Sequence, residues 1–417
     1  MSEFLNVKPP TYATDANFPA GSEDWSATPT RIAPLTAELA SGVIPDQQYP
    51  AQYHNWLIGS AFDVVGNLAR IAAHSALQNW KRFDVPNASD AIGWSEIVGL
   101  QPIRTYDESG DRQRLPIVLG ANSSDSNRTY MLRSNDGSAW DSPSEVEPSA
   151  THFPNPLYSC AGAPGVIVFG QASSPELAYS LDHGDTFANV TLGSVGGSAL
   201  GVHFAPGIGV YFGAHGSGIF HTATLTSFGA AVLPSGVSTL VGPAEFADDG
   251  GSNVVVCVQD NALAHRSIYR STDSGVTWTK VLDLASVTAM GNVKYSPALG
   301  LFIAWDTTAI WKSSDGGATW IQTSSPVFAD MATGQDTMAI VGPAIVKLWS
   351  HTLVSSTYVQ AGIAYSFDLG SSWNTWAFSH IVTRFPHKIR AFNGRLHAID
   401  SSSIWISGQL SLPGAES

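Results

Sequence analysis

One short phrase recurs along this chain: SSDGGATW at Ser313 to Trp320, STDSGVTW at Ser271 to Trp278, SFDLGSSW at Ser366 to Trp373, SLDHGDTF at Ser180 to Phe187 and, one residue shorter, SNDGSAW at Ser134 to Trp140. The shared frame is Ser-x-Asp-x-Gly-x-Ser/Thr closed by Trp or Phe. An Asp in such a place accepts hydrogen bonds from the backbone amides that follow it, and a Gly two residues on tolerates positive φ. Apolar runs flank the phrase, GLFIAWDTTAIWKS before one copy and TWTKVLDL after another, so it reads as a tight turn between two short strands. The five aspartates, Asp136, Asp182, Asp273, Asp315 and Asp368, are separated by 46, 91, 42 and 53 residues. The interval of 91 is close to twice the others and places a worn copy at GIFHTATLTSF, Gly218 to Phe228, which has lost the Asp. A second worn copy stands at SSIWISGQ, Ser402 to Gln409. Seven repeats of about 45 residues imply a ring or stack of small sheets, each unable to bury its apolar face alone.

A catalytic acid need appear only once, so five copies of one Asp are turn fasteners. The aromatics that close the turns, Trp140, Phe187, Trp278, Trp320 and Trp373, are expected on the sheet faces, packed against the neighbouring sheet. Composition agrees with an all-β chain. Charged residues make up 13% of the 417, against about a quarter in ordinary domains, while 39 Gly and 24 Pro supply turns. A net charge of -14 argues against a nucleic-acid surface. Cys160 and Cys257 lie in apolar runs and read as buried free thiols, with no disulfide framework. The start, MSEFLNVKPPTY, lacks a signal peptide's basic and apolar regions, and no window is apolar for long enough to span a membrane.

The turn frame resembles the Asp-box, or BNR repeat, of sialidases, sortilin-type receptors, certain glycanases and photosystem assembly factors. That resemblance implies a β-propeller in which the box joins the third and fourth strands of each blade. The expected fold is therefore an all-β, seven-bladed propeller over residues 84–417. Closure is expected from IGWSEIVGL, Ile92 to Leu100, acting as the outer strand of the last blade.

The chain ahead of the ring has a different texture. Residues 1–50 carry prolines at 9, 10, 19, 29, 34, 45 and 50, which block helix and sheet and predict an extended arm. Residues 51–83 predict one long helix for docking or oligomerisation, with Leu57, Ala61, Val64, Leu68 and Ile71 in a heptad seam. The arm and the PAQ-x-x-NW stretch together resemble the N-terminal regions of bacteriophage minor tail and appendage proteins. Virion proteins carry no signal peptide yet work outside cells, which fits the Ser/Thr/Gly-rich, charge-poor composition.

Candidate chemistry is sparse. Sialidases, as the resemblance implies, need three arginines, a Tyr/Glu pair, an acid Asp and an Arg-Ile-Pro motif; PIRTY at Pro102 and RLPIV at Arg114 do not match it. The carboxylates of YDESGDRQR, Tyr106 to Arg114, read as a solvated loop tip, and His203, His215 and His221 as strand and loop residues without metal-ligand spacing. One basic segment, with Arg384, Lys388, Arg390 and Arg395, is a candidate patch for an anionic ligand. No catalytic residue, cofactor or metal site is expected. The expected function is that of a phage virion component, made in the host cytoplasm and forming a homo-oligomer. It would attach to other virion proteins through residues 1–83 and display the propeller for adhesion, with a host glycan as candidate ligand. The alternatives are a glycan-processing hydrolase and a cellular assembly factor.

Overall fold

Short strands follow from the turn density, and the computed structural model bears this out with strands of two to nine residues. It describes Ala73, residues 75–85 and, with interruptions, 92–410; the longest interruptions are 146–155 and 324–336. The arm over 1–50 and residues 51–72 of the expected helix lie outside these residues, as do Asp136 and Arg384. The unit that carries the sheets runs from Ala76 to Ser417.

Among the described residues the strands form seven antiparallel sheets and one hairpin. The first sheet comprises Ile92–Gly99, Ile117–Ser123, Thr129–Ser134 and Ser144–Glu145; the second, Pro156–Ala161, Ile167–Gln171, Glu176–Ser180 and Ala188–Thr191. The third has only Ala199–Ala205, Val210–His215 and Gly218–Thr222. The fourth is Leu240–Asp248, Val254–Asp260, Arg266–Ser271 and Thr279–Leu284; the fifth, Asn292–Ser296, Leu301–Trp305, Ile310–Ser313 and Ile321–Gln322. Met338–Val341, Ala344–Thr352, Val359–Ser366 and Asn374–Ala377 make the sixth. The seventh joins Lys388–Phe392, Arg395–Ile399 and Ser403–Ser407 to Trp80–Asp84, from the other end of the chain. Within each sheet, Trp80–Asp84 apart, the strands are ordered as in the sequence, up and down. The acidic YDESGDRQR stretch, expected as a loop tip, is instead a hairpin of Ile103–Asp107 with Gly110–Arg114 inserted after the first strand.

Middle strands such as Val254–Asp260 are buried on both faces, which explains why they read as unbroken apolar runs rather than as alternating ones. In Val254–Asp260, Val254, Val256 and Val258 pack with Phe212, Phe246 and Trp278 on the side of the third sheet. Val255 and Cys257 pack with Val293 and Phe302 on the side of the fifth. The first strands touch one another in chain order, and Ile92–Gly99 touches both Pro156–Ala161 and Lys388–Phe392, so the contacts run full circle. This arrangement of small sheets around a circle is a β-propeller.

The circle is not closed as expected. Ile92–Gly99 is the first strand of the first sheet, paired with Ile117–Ser123, and not the outer strand of the last. That outer place is taken by Trp80–Asp84, in register from Trp80 opposite Ser407 to Asp84 opposite Ser403. Residues 80–83 therefore leave the helix predicted over 51–83; among its described residues, Ala73 and residues 75–77 are helical. The physical reason is tertiary: the edge of Ser403–Ser407 presents unpaired backbone groups, and pairing them outweighs the helix preference of a short terminal segment. Leu77, fully buried, packs among Leu348, Tyr365, Phe378 and Trp405, and Trp80 stands edge-on to Phe378 at 5.2 Å.

Candidate functional site

The recurrent turn is the most elaborate polar construction among the described residues, and four copies are described in full. In each, the Ser hydroxyl donates to one Asp oxygen, at 2.8 Å for Ser180 and Ser271 and 2.7 Å for Ser313 and Ser366. The same hydroxyl accepts the N–H of Gly184, Gly275, Gly317 or Gly370 at 2.7 to 2.9 Å. The Asp in turn accepts both the N–H and the hydroxyl of the residue four places on: Thr186, Thr277, Thr319 or Ser372. Where the closing aromatic is Trp278, Trp320 or Trp373, its indole N–H donates to the Gly carbonyl at 3.0 to 3.1 Å. Phe187 has no such donor and lies 6.3 Å from Phe169. Trp140 is bridged to Ser134.

The backbone explains the residue choice. The residue before each Gly has positive φ, at His183, Ser274, Gly316 and Leu369, and the Gly follows at 85° to 91°. Two consecutive left-handed residues are the requirement of a type I′ turn, which matches the twist of the strands it joins. Only Gly fits the second position for a further reason. A Cβ on Gly275 would lie 2.5 Å from Cε1 of Phe212, and one on Gly317 2.6 Å from Cγ1 of Val255. Both partners belong to the preceding sheet, so the turn is also the point at which neighbouring sheets lock.

Electrostatics follow from this geometry. The Thr186 hydroxyl and amide, with the Ser180 hydroxyl, hold Asp182 down at about 2. The matching donors, Thr319 first, push Asp315 lower still. At Asp273 and Asp368 slight burial opposes the shift, and hydrogen bonds from Thr277 and Ser372 outweigh it, leaving both carboxyls below their ordinary value. These aspartates are thus fixed as carboxylates and occupied by their own turns, the wrong state for a proton donor.

Two arginines just ahead of a turn Ser reach into the next sheet's turn, at equivalent atoms. Arg133 donates to the carbonyl of His183 at 3.0 Å and to Asp185 at 2.7 Å. Arg270 donates to the carbonyl of Gly316 at 2.7 Å and to Asn253 at 2.7 Å. At the sixth sheet, Thr323 serves the same carbonyl, that of Leu369, at 3.3 Å. Both arginines stand one residue before the Ser in the sequence, and that position was the signal available for them.

Of the candidate anionic-ligand patch, Lys388, Arg390 and Arg395 are described, all on the hairpin of Lys388–Phe392 and Arg395–Ile399. Lys388 is buried in the first strand of the seventh sheet, and burial, followed by the nearby charge of Arg390, pushes its ammonium well below the ordinary range. Arg395, exposed at a strand end, donates to the carbonyl of Ser407 at 3.2 Å. The three histidines noted in the sequence have separate neighbours. His203 pairs with Asp248 at 2.8 Å, His215 with Ser217 at 2.8 Å, and His221 lies 6.5 Å from Phe212. Among the described residues no group of three or more His, Cys, Asp or Glu converges as metal ligands.

The first strands of the third, fourth and fifth sheets carry a feature invisible in the sequence. Asp248 reaches back to His203 on the third sheet, while Glu245 of the same strand reaches forward to Lys294 on the fifth at 3.3 Å. Three residues of separation put the two carboxylates on opposite faces of one strand. They are inter-sheet ties, each with its own partner on a different neighbouring sheet, and not a facing carboxylate pair.

No protein-family model matches the sequence, and no curated protein matches it. Solved structures of similar shape include YCF48 bound to D1 peptide, at 13% identity and TM-score 0.49, covering 79% of this chain and 95% of that one. The extracellular domain of the one-component system BT4673 from B. thetaiotaomicron aligns at 9% identity and TM-score 0.48, over 79% and 40% of the two chains. The GH74 enzyme of Niastella koreensis aligns at 14% identity and TM-score 0.43, over 76% and 64%. Similarity this low carries no activity from any of them to this chain.

Proposed function

We propose that the seven sheets are the blades of one Asp-box propeller, and that the chain is a binding and attachment component of a larger particle. The setting we favour is a bacteriophage tail, baseplate or fibre-type appendage. The observation that carries this reading is the closing strand. Trp80–Asp84 completes the last sheet, so whatever residues 1–79 attach to is tied directly to the seam of the ring. Attachment through that segment leaves the rest of the ring for adhesion or assembly, with other virion proteins and a host glycan as the partners proposed. In this reading the turn aspartates serve their own turns and the two carboxylates of the fourth sheet serve as ties to its neighbours.

The test is solution mass by light scattering for the full chain beside one starting at Ala76, which keeps the closing strand. An oligomeric full chain and a monomeric shortened one support attachment and self-assembly through the N-terminal region. Two monomers remove self-assembly. A parallel incubation with host polysaccharide addresses the hydrolase alternative: release of reducing sugar would replace the attachment reading.

A further inference from the structure

The segment that closes the ring is built like a bound peptide. Leu77 fills an apolar site between the sixth and seventh sheets, Trp80 caps it against Phe378, and the backbone of residues 80–84 adds a strand to Ser403–Ser407. Arg82 donates to the Ser403 hydroxyl at 2.6 Å and lies 5.6 Å from the ring of Trp405. Further up, the amide of Gly408 donates to the carbonyl of Ala76 at 3.2 Å, and a Cβ on Gly408 would meet the Ala76 Cα at 3.0 Å. Apolar anchors, an added strand and one charged lock are the parts of strand-addition peptide recognition. The strand partners lie more than 300 residues away in the sequence, so the groove holds the segment by its side chains and strand, not by adjacency in the chain.

We propose that this groove, between the sixth and seventh sheets, is an intermolecular docking site whose occupant is the 76–84 segment of a second copy of the chain. The argument rests on the self-assembly reading above. The sequence places the heptad positions Leu57, Ala61, Val64, Leu68 and Ile71 a few residues ahead of the segment. Copies joined there hold their closing strands at high effective concentration near one another's seams. An identical strand supplied by a neighbour makes the same contacts as the chain's own, which is the condition for exchange of an element between protomers. The outcome is a set of rings each closed by another's strand, with the attachment region at the shared seam.

The experiment mixes two full-length chains in which Cys160→Ala and Cys257→Ala remove the native thiols, one carrying Lys81→Cys and the other Ile406→Cys, facing positions in the strand register, with different tags. They are co-expressed and oxidised, then run without reductant. A mixed disulfide joining the two tags is expected, because these positions meet between chains only by exchange. The pair Asp84→Cys and Ser403→Cys repeats the test at the other end of the register. The doubly substituted chains report closure itself and guard against a folding failure. If they cross-link only within one chain while the mixtures yield no joined species, exchange is overturned. An oligomeric mass with no mixed disulfide overturns exchange alone, whereas a monomeric mass overturns the self-assembly reading with it.

Discussion

The third and fourth sheets stand side by side and solve the same problem differently. At the fourth, Ser271 and Asp273 fasten a turn that sets Gly275 against Phe212 and brings Trp278 edge-on to both Phe212 and Phe246. At the third, Thr222 and Thr224 stand in the corresponding places. The Thr222 hydroxyl only bonds the backbone of Thr224, and the Thr224 hydroxyl meets that of Thr226 at 3.1 Å. There is no regular fourth strand; Val232 alone exchanges two backbone bonds with Ile219. Yet Leu225 is buried, and Phe228 packs with it beside Tyr211 and Phe220. A sheet of this ring therefore holds by apolar packing, and the Ser/Asp fastener adds the turn's shape and its lock on the previous sheet.

That contrast is broken most forcefully at the aromatics. Trp278→Ala removes a nearly fully buried indole from the interface of both sheets, and a loss of about 3 to 5 kcal/mol is expected. Phe228→Ala, at a half-buried ring, is expected to cost about 1 to 2 kcal/mol. Denaturant midpoints of the two variants check the difference; equal losses would mean that the two turns do the same work. Next comes the hydroxyl. Ser271→Ala leaves the buried Gly275 amide without its acceptor, for about 1 to 3 kcal/mol, whereas Thr222→Ala in an open turn stays within about 0.5 kcal/mol.

Acid separates the sheets further. The turn carboxyls have folded pKa values below the unfolded value of about 3.9, so their contribution is present above pH 4 and is lost as pH falls towards their folded values, about 2 for Asp182. His397 adds an earlier loss. Burial, then the charge of Arg395, holds it down to about 3, so stability falls from about pH 6.5 downwards as the unfolded state takes up the proton. Thermal melts across this range are expected to steepen below pH 4. Asp315→Asn should flatten the lower part and His397→Phe the upper. A profile unchanged by Asp315→Asn would show that the turn carboxylates do not stabilise the fold. The third sheet, without the Asp, contributes nothing to that lower slope. A smaller effect, about 1 to 2 kcal/mol, is expected from Arg270→Ala, which strips the Gly316 carbonyl and Asn253 of their donor.

Legibility in the sequence followed interaction range. The turns were readable because every contact that defines them lies within eight residues, and even the worn copy at Gly218 to Phe228 kept enough strand and aromatic pattern to be placed. The double-sided burial of Val254–Asp260 showed as an apolar run. What failed was long-range: the pairing of Trp80 with Ser407 depends on an edge left open at the far end of the chain, and no local pattern in WKRF distinguishes it from a helix end. The burial of Lys388 was hidden for the same reason, since a strand's position in the ring, and not its composition, decides it. The ties from His203 to Asp248 and from Glu245 to Lys294 join residues 45 and 49 apart, one repeat length, and would emerge only after aligning successive repeats.

The mildest change addresses whether the fastener is portable. Thr224 is exposed and occupies the place of the turn Asp, so Thr224→Asp supplies a carboxylate without disturbing the core. The third turn nevertheless reaches its aromatic in six residues from Thr222, against seven from Ser271 to Trp278, and carries Thr226 where the other turns carry the left-handed Gly. A carboxylate there lacks the backbone path that presents both an amide and a hydroxyl to it. The expected change in stability is within about 0.5 kcal/mol, as for other exposed substitutions. A gain above about 1 kcal/mol would show that the Asp alone organises the turn, and that the third sheet lacks a fastener only because it lacks that residue. No gain would place the organising role in the paired left-handed residues, with the Asp acting on a turn the backbone has already shaped.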